Sequence, residues 1–286
     1  MKIAWIIGVI GVALALTSCS KKGCTDSRAR NFSAEATEDD GTCILAGCTD
    51  SKAENYVSWA TEDDGSCTYP TQGDLELAFD FQVNGQALEY NKTFQTVDQK
   101  YVSFSRVQFY ASGINGWADS THSPKHDLSD VYLLVNPDNK TYSIGKMDPG
   151  AYVATYFSFG VDSLTNNTKQ PVDFEQGHPL GFQDPNMHWG WRAMYQFIKL
   201  EGKFDSDGDQ IPDLDFEYHI GADQYYQQLV FWDKPFTIEV GNTTQMEIVM
   251  DCGMFLNGVD IVANPTSHST DATSNAIMAN TSQVFK

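Results

Sequence analysis

Residues 186–202 read Asn-Met-His-Trp-Gly-Trp-Arg-Ala-Met-Tyr-Gln-Phe-Ile-Lys-Leu-Glu-Gly. This short run gathers a histidine, two tryptophans, two methionines, a tyrosine and a phenylalanine. An acidic loop follows at once, and then a second histidine in Tyr218-His219-Ile220-Gly221. Imidazole beside thioether or thiol suits copper. The stretch therefore reads as a metal or redox site mounted on a β scaffold. The chain has six histidines, at 122, 126, 178, 188, 219 and 268. His188 and His219 lie in aromatic β contexts, while His268 lies in a polar tail. Their separations are long, so only the fold can bring them together. The plain alternative for Trp189 and Trp191 is core packing, the usual role of tryptophan in β proteins.

The acidic loop is Asp205-Ser206-Asp207-Gly208-Asp209-Gln210-Ile211-Pro212-Asp213. Asp205, Asp207, Asp209 and Asp213 fall at positions 1, 3, 5 and 9. Gly208 permits a tight turn, and the backbone carbonyl of Ile211 offers a further oxygen. Calcium takes about six to eight oxygens in a flexible wrap, which this spacing supplies. The loop resembles the Asp-rich calcium repeats of the thrombospondin type 3 kind. It departs from an EF-hand, because position 12 is Phe216 rather than glutamate. The expected role is structural: calcium neutralises crowded carboxylates and pins the connection before His219.

No nucleophile motif, phosphate-binding glycine loop or His-Glu-x-x-His helix is present. Glu201 and Asp205 form a nominal carboxylate pair, but calcium accounts better for Asp205. The expectation is a binding protein and not an enzyme.

The elements that must carry this site begin with an address. Ile3 to Leu16 is an almost unbroken apolar run, followed by Leu16-Thr17-Ser18-Cys19. The run is shorter than the roughly 20 residues a membrane span needs and fits a secretory signal. Its ending resembles a bacterial lipobox, which makes Cys19 the lipid-bearing first residue once residues 1–18 are removed. The expected location is the bacterial cell envelope, most simply the outer membrane on its periplasmic or surface face, with contact to membrane through the lipid only. Formal net charge is -20 and the pI about 4.4. Such a surface repels phosphate backbones, so nucleic acid is excluded as a partner.

Residues 19–69 hold two copies of one unit, Gly-Cys-Thr-Asp-Ser…Asp-Asp-Gly-(Thr/Ser)-Cys, at 23–43 and 47–67. Such short units cannot bury a core alone, so cross-links are expected in an oxidising compartment. Four cysteines allow three pairings; the repeat favours Cys24 with Cys43 and Cys48 with Cys67. The Asp-Asp-Gly turns read as plain turns, with calcium as the rival. Residues 70–73 form a linker. Cys252 is left over in the apolar run Ile248–Phe255, which reads as a strand. It is expected to be a buried free thiol, with soft copper ligation as the rival.

From 74 to 286 the pattern is all-β. Leu75, Leu77, Phe79, Phe81 and Val83 alternate with Glu76, Ala78, Asp80 and Gln82, which marks a half-buried strand. Asn84-Gly85 is a hairpin turn. Strand patterns follow at 101–114, 131–135, 141–144, 151–159, 216–220, 226–232, 236–240 and 245–250, separated by Gly, Pro and Asn turns. This spacing predicts an antiparallel β-sandwich. Residues 193–200 are ambiguous and lean to strand, and 274–285 reads as a short terminal helix.

Several segments together resemble the MbnP-like family of periplasmic copper-binding proteins associated with methanobactin operons. They are Phe79 to Leu88, Val107 to Ser112, Gly150-Ala151-Tyr152, Phe159 to Asp162, Met187 to Trp191, Lys199 to Gly202 and Tyr218 to Gly221. The resemblance covers about residues 74–286. It implies an all-β domain that binds copper through histidines, with His188, His219 and His268 as ligand candidates. It also implies that a tryptophan, Trp189 or Trp191, is oxidised to kynurenine by a dihaem partner of the cytochrome c peroxidase type. Neutral imidazoles would hold the copper, so affinity would fall as pH drops. The alternative is a non-catalytic, calcium-stabilised surface binding or adhesion lipoprotein without copper.

Overall fold

The computed structural model describes residues 20–118, 128, 130–190, 194–268 and 270–286. The signal segment, Cys19 and Trp191 lie outside the described residues, as do His122 and His126. The chain forms two compact units, Met1–Pro70 and Thr71–Lys286.

The first unit shows why the repeat recurs. β1 (Lys22–Gly23) pairs in parallel with β2 (Glu38–Asp39), and β3 (Ala46–Gly47) pairs likewise with β4 (Glu62–Asp63). Disulfides join Cys24 to Cys43 and Cys48 to Cys67. In each Asp-Asp-Gly turn the carboxylates close the turn itself. Asp39 Oδ1 accepts from the Gly41 amide at 2.9 Å, and Asp40 Oδ1 accepts from the Thr42 amide at 3.0 Å. Asp63 and Asp64 repeat the arrangement. Gly41 and Gly65 sit at φ 75° and 73°, where a side chain would be strained. The copies are stitched by Thr61, whose hydroxyl accepts from the Leu45 amide at 2.9 Å and donates to the Cys43 carbonyl at 3.0 Å. With so small a core, the bridges matter. Replacing Cys24 and Cys43 by serine costs about 3 kcal/mol by loop-closure entropy. Limited proteolysis with peptide mass mapping checks this: cuts appear between 24 and 43 at protease levels that leave residues 74–286 whole.

The second unit is a β-sandwich. Its first sheet is built from β5 (Gly73–Val83), β6 (Gln86–Ala87), β10 (Thr141–Met147) and β19 (Thr243–Asp251). They run in the order β10-β5-β19, with β6 beside β5. The alternation expected along β5 is present, with Leu75, Leu77, Phe79, Phe81 and Val83 all buried. Asn84 and Gly85 turn the hairpin at φ 48° and 78°, the left-handed pair that a two-residue turn of this twist requires.

The second sheet has eight strands. β17 (Gln227–Phe231), β12 (Ala154–Phe159), β8 (Tyr101–Trp117), β15 (Ile198–Phe204), β16 (Leu214–Ile220) and β20 (Thr266–Ser267) lie in that order. β7 (Phe94–Gln95) and β9 (Tyr132–Val135) also pair with β8. Two small ribbons complete the strands, β11 (Gly150–Tyr152) with β18 (Phe236–Ile238), and β13 (His188–Trp189) with β14 (Met194–Tyr195). Helix α1 is Ser163–Thr168. Aromatic rings fill the space between the sheets. Phe79 meets Phe109 and Phe157 edge-on at 5.8 and 6.0 Å, and Phe109 stacks on Phe159 at 5.4 Å.

Three local expectations are refined. The sandwich is antiparallel except where β19 runs parallel to β5 and β20 parallel to β16. Cys252 does not extend β19. Asp251 Oδ1 takes the Gly253 amide at 3.2 Å and turns the chain into a 3-10 helix, Cys252–Leu256. Cys252 is a buried free thiol, and burial pushes its pKa up. The tail forms two short helices, α2 (Ala272–Ala279) and α3 (Thr281–Val284). Residues 194–204 are strands β14 and β15, broken at Gln196-Phe197.

Candidate metal centre

β15 and β16 form the hairpin that the acidic loop closes. Their register pairs Lys199 with His219 and Glu201 with Glu217. On β16, Phe216, Tyr218 and Ile220 are buried in the core. Strand period two then puts Glu217 and His219 together on the opposite face. On β15, Lys199 and Glu201 share that outer face, because Ile198 and Leu200 point into the core. β8 pairs with β15 from the other side and sets Arg106 opposite Glu201.

The sixth participant comes from far along the chain. β20 runs parallel to β16, with Glu217 opposite Thr266 and Tyr218 opposite Ser267. The next step of that register brings His268 beside His219. The two imidazoles stack with centroids 4.8 Å apart and planes 27° from parallel. That separation matches the roughly 4.8 Å between neighbouring strands.

The donor atoms converge. Glu217 Oε1 lies 3.3 Å from His219 Nδ1 and 3.1 Å from His268 Nε2. One ligand atom from each of Glu217, His219 and His268 falls within 4.8 Å of the others. Ligands held at 2.0–2.1 Å with tetrahedral angles stand about 3.3 Å apart, so the spacing fits one ion. The other nitrogen of His219, Nε2, lies 2.8 Å from Glu201 Oε1. A carboxylate can only accept, so a neutral His219 that donates from Nε2 to Glu201 would leave the Nδ1 lone pair free for an ion shared with Glu217. Arg106 Nε donates to Glu201 Oε2 at 2.9 Å. The hydrogen bond from His219, with Arg106 behind it, lowers the Glu201 pKa to about 2. This is the carboxylate–histidine buttress common behind metal-bound imidazole. Lys199 is buried on the same face, and desolvation lowers its pKa.

The structure thus unites two of the three histidines singled out from the sequence and leaves His188 outside the group. His188 sits on β13, buried, with its ring edge-on to Tyr195 at 4.9 Å. Asn186 pins its backbone from both sides, accepting from the His188 amide at 3.1 Å and donating to its carbonyl at 2.7 Å. Its Nε2 is buried without a hydrogen-bond partner among the described residues, and desolvation lowers its pKa. Trp189 beside it is buried. His178 has a structural place: it stacks on Phe174 at 4.5 Å and accepts the Leu180 amide through Nδ1. Glu217 and Arg106 are the participants that sequence reading did not find, and Glu201 was named there only in a nominal pair with Asp205. Glu217 was detectable as the i, i+2 partner of His219 on a strand; Arg106 had no local signal.

In the acidic loop, Asp205, Asp207 and Asp209 form a second group of convergent carboxylates. Asp205 accepts the Gly208 and Gln210 amides at 2.8 and 2.9 Å, and Asp209 accepts the Ile211 amide at 2.8 Å. Asp213 turns instead to Ser206, accepting from its amide and hydroxyl at 3.0 and 2.9 Å. Ile211 has an exposed side chain.

The MbnP family model matches residues 72–275 of the chain. A solved structure, MbnP from Methylosinus trichosporium, is similar at 13% identity and a TM-score of 0.48. That likeness covers 72% of this chain and 87% of the other. No curated protein matches.

Proposed function

This chain belongs to the MbnP family, and from that premise we propose that it binds and handles copper in the bacterial cell envelope, without catalysing a reaction. The observation that carries the reading is the convergence of Glu217, His219 and His268, with Glu201 and Arg106 behind His219. Imidazole is a ligand that copper accepts, as zinc and iron also do, and membership of the family points to copper. Glu217, His219 and His268 would hold the ion. Glu201 would keep His219 in the tautomer that presents Nδ1, and Arg106 would keep Glu201 in place.

His188 is the rival copper position, favoured by its buried Nε2, which has no hydrogen-bond partner among the described residues. Trp189 or Trp191 would be the tryptophan oxidised to kynurenine, through a dihaem partner of the cytochrome c peroxidase type. The loop at Asp205, Asp207 and Asp209 takes calcium as a structural ion, with Asp213 and the Ile211 carbonyl closing the shell. Lipid on Cys19 anchors the protein. Among the described residues no helix is long and apolar enough to cross a membrane.

Elemental analysis with intact and peptide mass on mature protein from its native envelope tests this. Stoichiometric copper, with Trp189 or Trp191 oxidised, is expected. A calcium chelator should remove calcium and leave the copper. Calcium alone, with both tryptophans unmodified, would instead favour a calcium-stabilised surface binding or adhesion lipoprotein. The buttress has its own test. Glu201→Ala lowers copper affinity about ten- to a hundredfold in a chelator competition, while circular dichroism is unchanged.

A further inference from the structure

We propose that a cleft beside β8 binds a small zwitterion, a free α-amino acid, whose carboxylate meets Arg106 and Gln108 and whose ammonium group meets Asp138 and Asp184. The proposal is independent of the copper reading: Glu217, His219 and His268 do not line this cleft.

The cleft has a volume of about 270 Å³ and is lined by β8, the turn between β9 and β10, and the loop that precedes β13. That is just under the roughly 300–1,000 Å³ of sites for drug-sized ligands, so the occupant is small. Strand period two builds one wall. Val107 and Phe109 point into the core, which turns Arg106 and Gln108 to the outer face. Gln108 is only 8% exposed, yet its carboxamide has no hydrogen-bond partner among the described residues. A buried amide left unpaired costs free energy, and a ligand in the cleft would supply the partner. Arg106 donates from Nε to Glu201 at 2.9 Å. Its two Nη groups have no partner among the described residues. A guanidinium held by one nitrogen, with its other N–H groups unspent, is suited to a carboxylate.

The loops carry the opposite charge. Asp138 and Asp184 line the cleft, and neither carboxylate has a partner among the described residues. Their neighbours hold both in place. Asn136 Oδ1 accepts the Asp138 amide at 3.0 Å. Gln183 Nε2 donates to the His178 and Pro179 carbonyls at 2.9 and 3.1 Å, and Asn186 grips the His188 backbone. The loop is therefore fixed on both sides of Asp184. Lys199 lies opposite Gln108 on β15 and offsets the charge of Glu201. The cleft is thus polarised, cationic along the sheet and anionic along the loops.

This polarity selects among ligands. A simple anion would meet Asp138 and Asp184, and a simple cation would meet Arg106. A neutral sugar would desolvate all three charges and neutralise none. Tyr90 offers a sugar no hydroxyl, because that group is tied to the Val107 amide and carbonyl at 3.2 and 3.4 Å. A zwitterion with both charges on one carbon matches both walls.

Isothermal titration of the full mature chain with each common L-amino acid in turn tests this. At least one should bind with a Kd below about 1 mM. Its amide, which lacks the carboxylate, and its N-acetyl derivative, which lacks the ammonium group, should each bind at least about tenfold more weakly, since hydrogen bonds to charged groups are the stronger ones. Gln108→Leu and Asp184→Asn should each weaken binding about tenfold, while circular dichroism and metal content stay as in the wild type. Gln108→Leu loses no internal hydrogen bond and Asp184→Asn changes a loop side chain, so both should fold. Tightest binding of D-glucose or acetate, no amino acid binding below about 1 mM, or an affinity untouched by N-acetylation or by either variant would overturn the proposal.

Discussion

Replacing His219 and His268 together by alanine removes stoichiometric copper binding and leaves the sandwich folded. Both side chains lie on the outer face of the eight-stranded sheet, at 12% and 45% exposure, so neither holds the core. Their loss deletes two of three donors and leaves Glu217 as a lone carboxylate. The expected loss of affinity exceeds about a hundredfold, beyond the ten- to hundredfold scale of changes behind the ligands. Stability should move little, because outward substitutions usually stay within about 0.5 kcal/mol and Glu201 keeps its Arg106 partner at 2.9 Å. Chelator competition reads the affinity and a urea melt reads the fold. An unfolded double variant would show instead that the stacked pair stabilises the sheet.

Gly202→Val destabilises the domain by about 4 kcal/mol or more, a size reserved for core or backbone disruption. A Cβ at Gly202 would lie 2.0 Å from the Ser103 carbonyl oxygen and 2.9 Å from the Phe216 ring. β15 is enclosed by β8 on one side and β16 on the other, so the backbone oxygen has nowhere to retreat. Gly202 also stands where the β15–β8 register shifts, next to Glu201. Any relaxation would therefore move Glu201 away from Arg106 and His219. Gly190→Ala is the control: among the described residues a Cβ there meets nothing within 4 Å, and the change should stay within about 0.5 kcal/mol. The difference between the two urea midpoints checks the prediction.

Local patterns carried much of the fold. The period-two run of β5 and its Asn84-Gly85 turn depend on neighbours in sequence, and both appear as expected. The β-rich sandwich follows from many such runs. What sequence concealed was pairing at a distance. β19 lies parallel to β5, with Ile248 opposite Phe79, and no local signal specifies a partner so far away. Cys252 looked like strand because its neighbours are apolar, yet the Asp251 side chain captures an amide and ends the strand.

The candidate site divides in the same way. His219 was legible because its strand is strongly patterned, and Glu217 is its same-face neighbour by alternation. His268 was legible as a residue type but not as a neighbour. Its place depends on two residues of parallel pairing, Thr266 and Ser267. Arg106 reaches the site only through the long strand β8. His188 and His219 both looked like ligands because aromatic residues surround each; the fold puts His188 against Tyr195 and His219 against His268.

Copper-edge anomalous diffraction from crystals of the copper-loaded protein locates the ion. One strong peak is expected about 2 Å from Glu217 Oε1, His219 Nδ1 and His268 Nε2, the distance of a bound ion. A peak beside His188 and Trp189 alone, with none at Glu217, His219 and His268, would overturn the assignment of the centre.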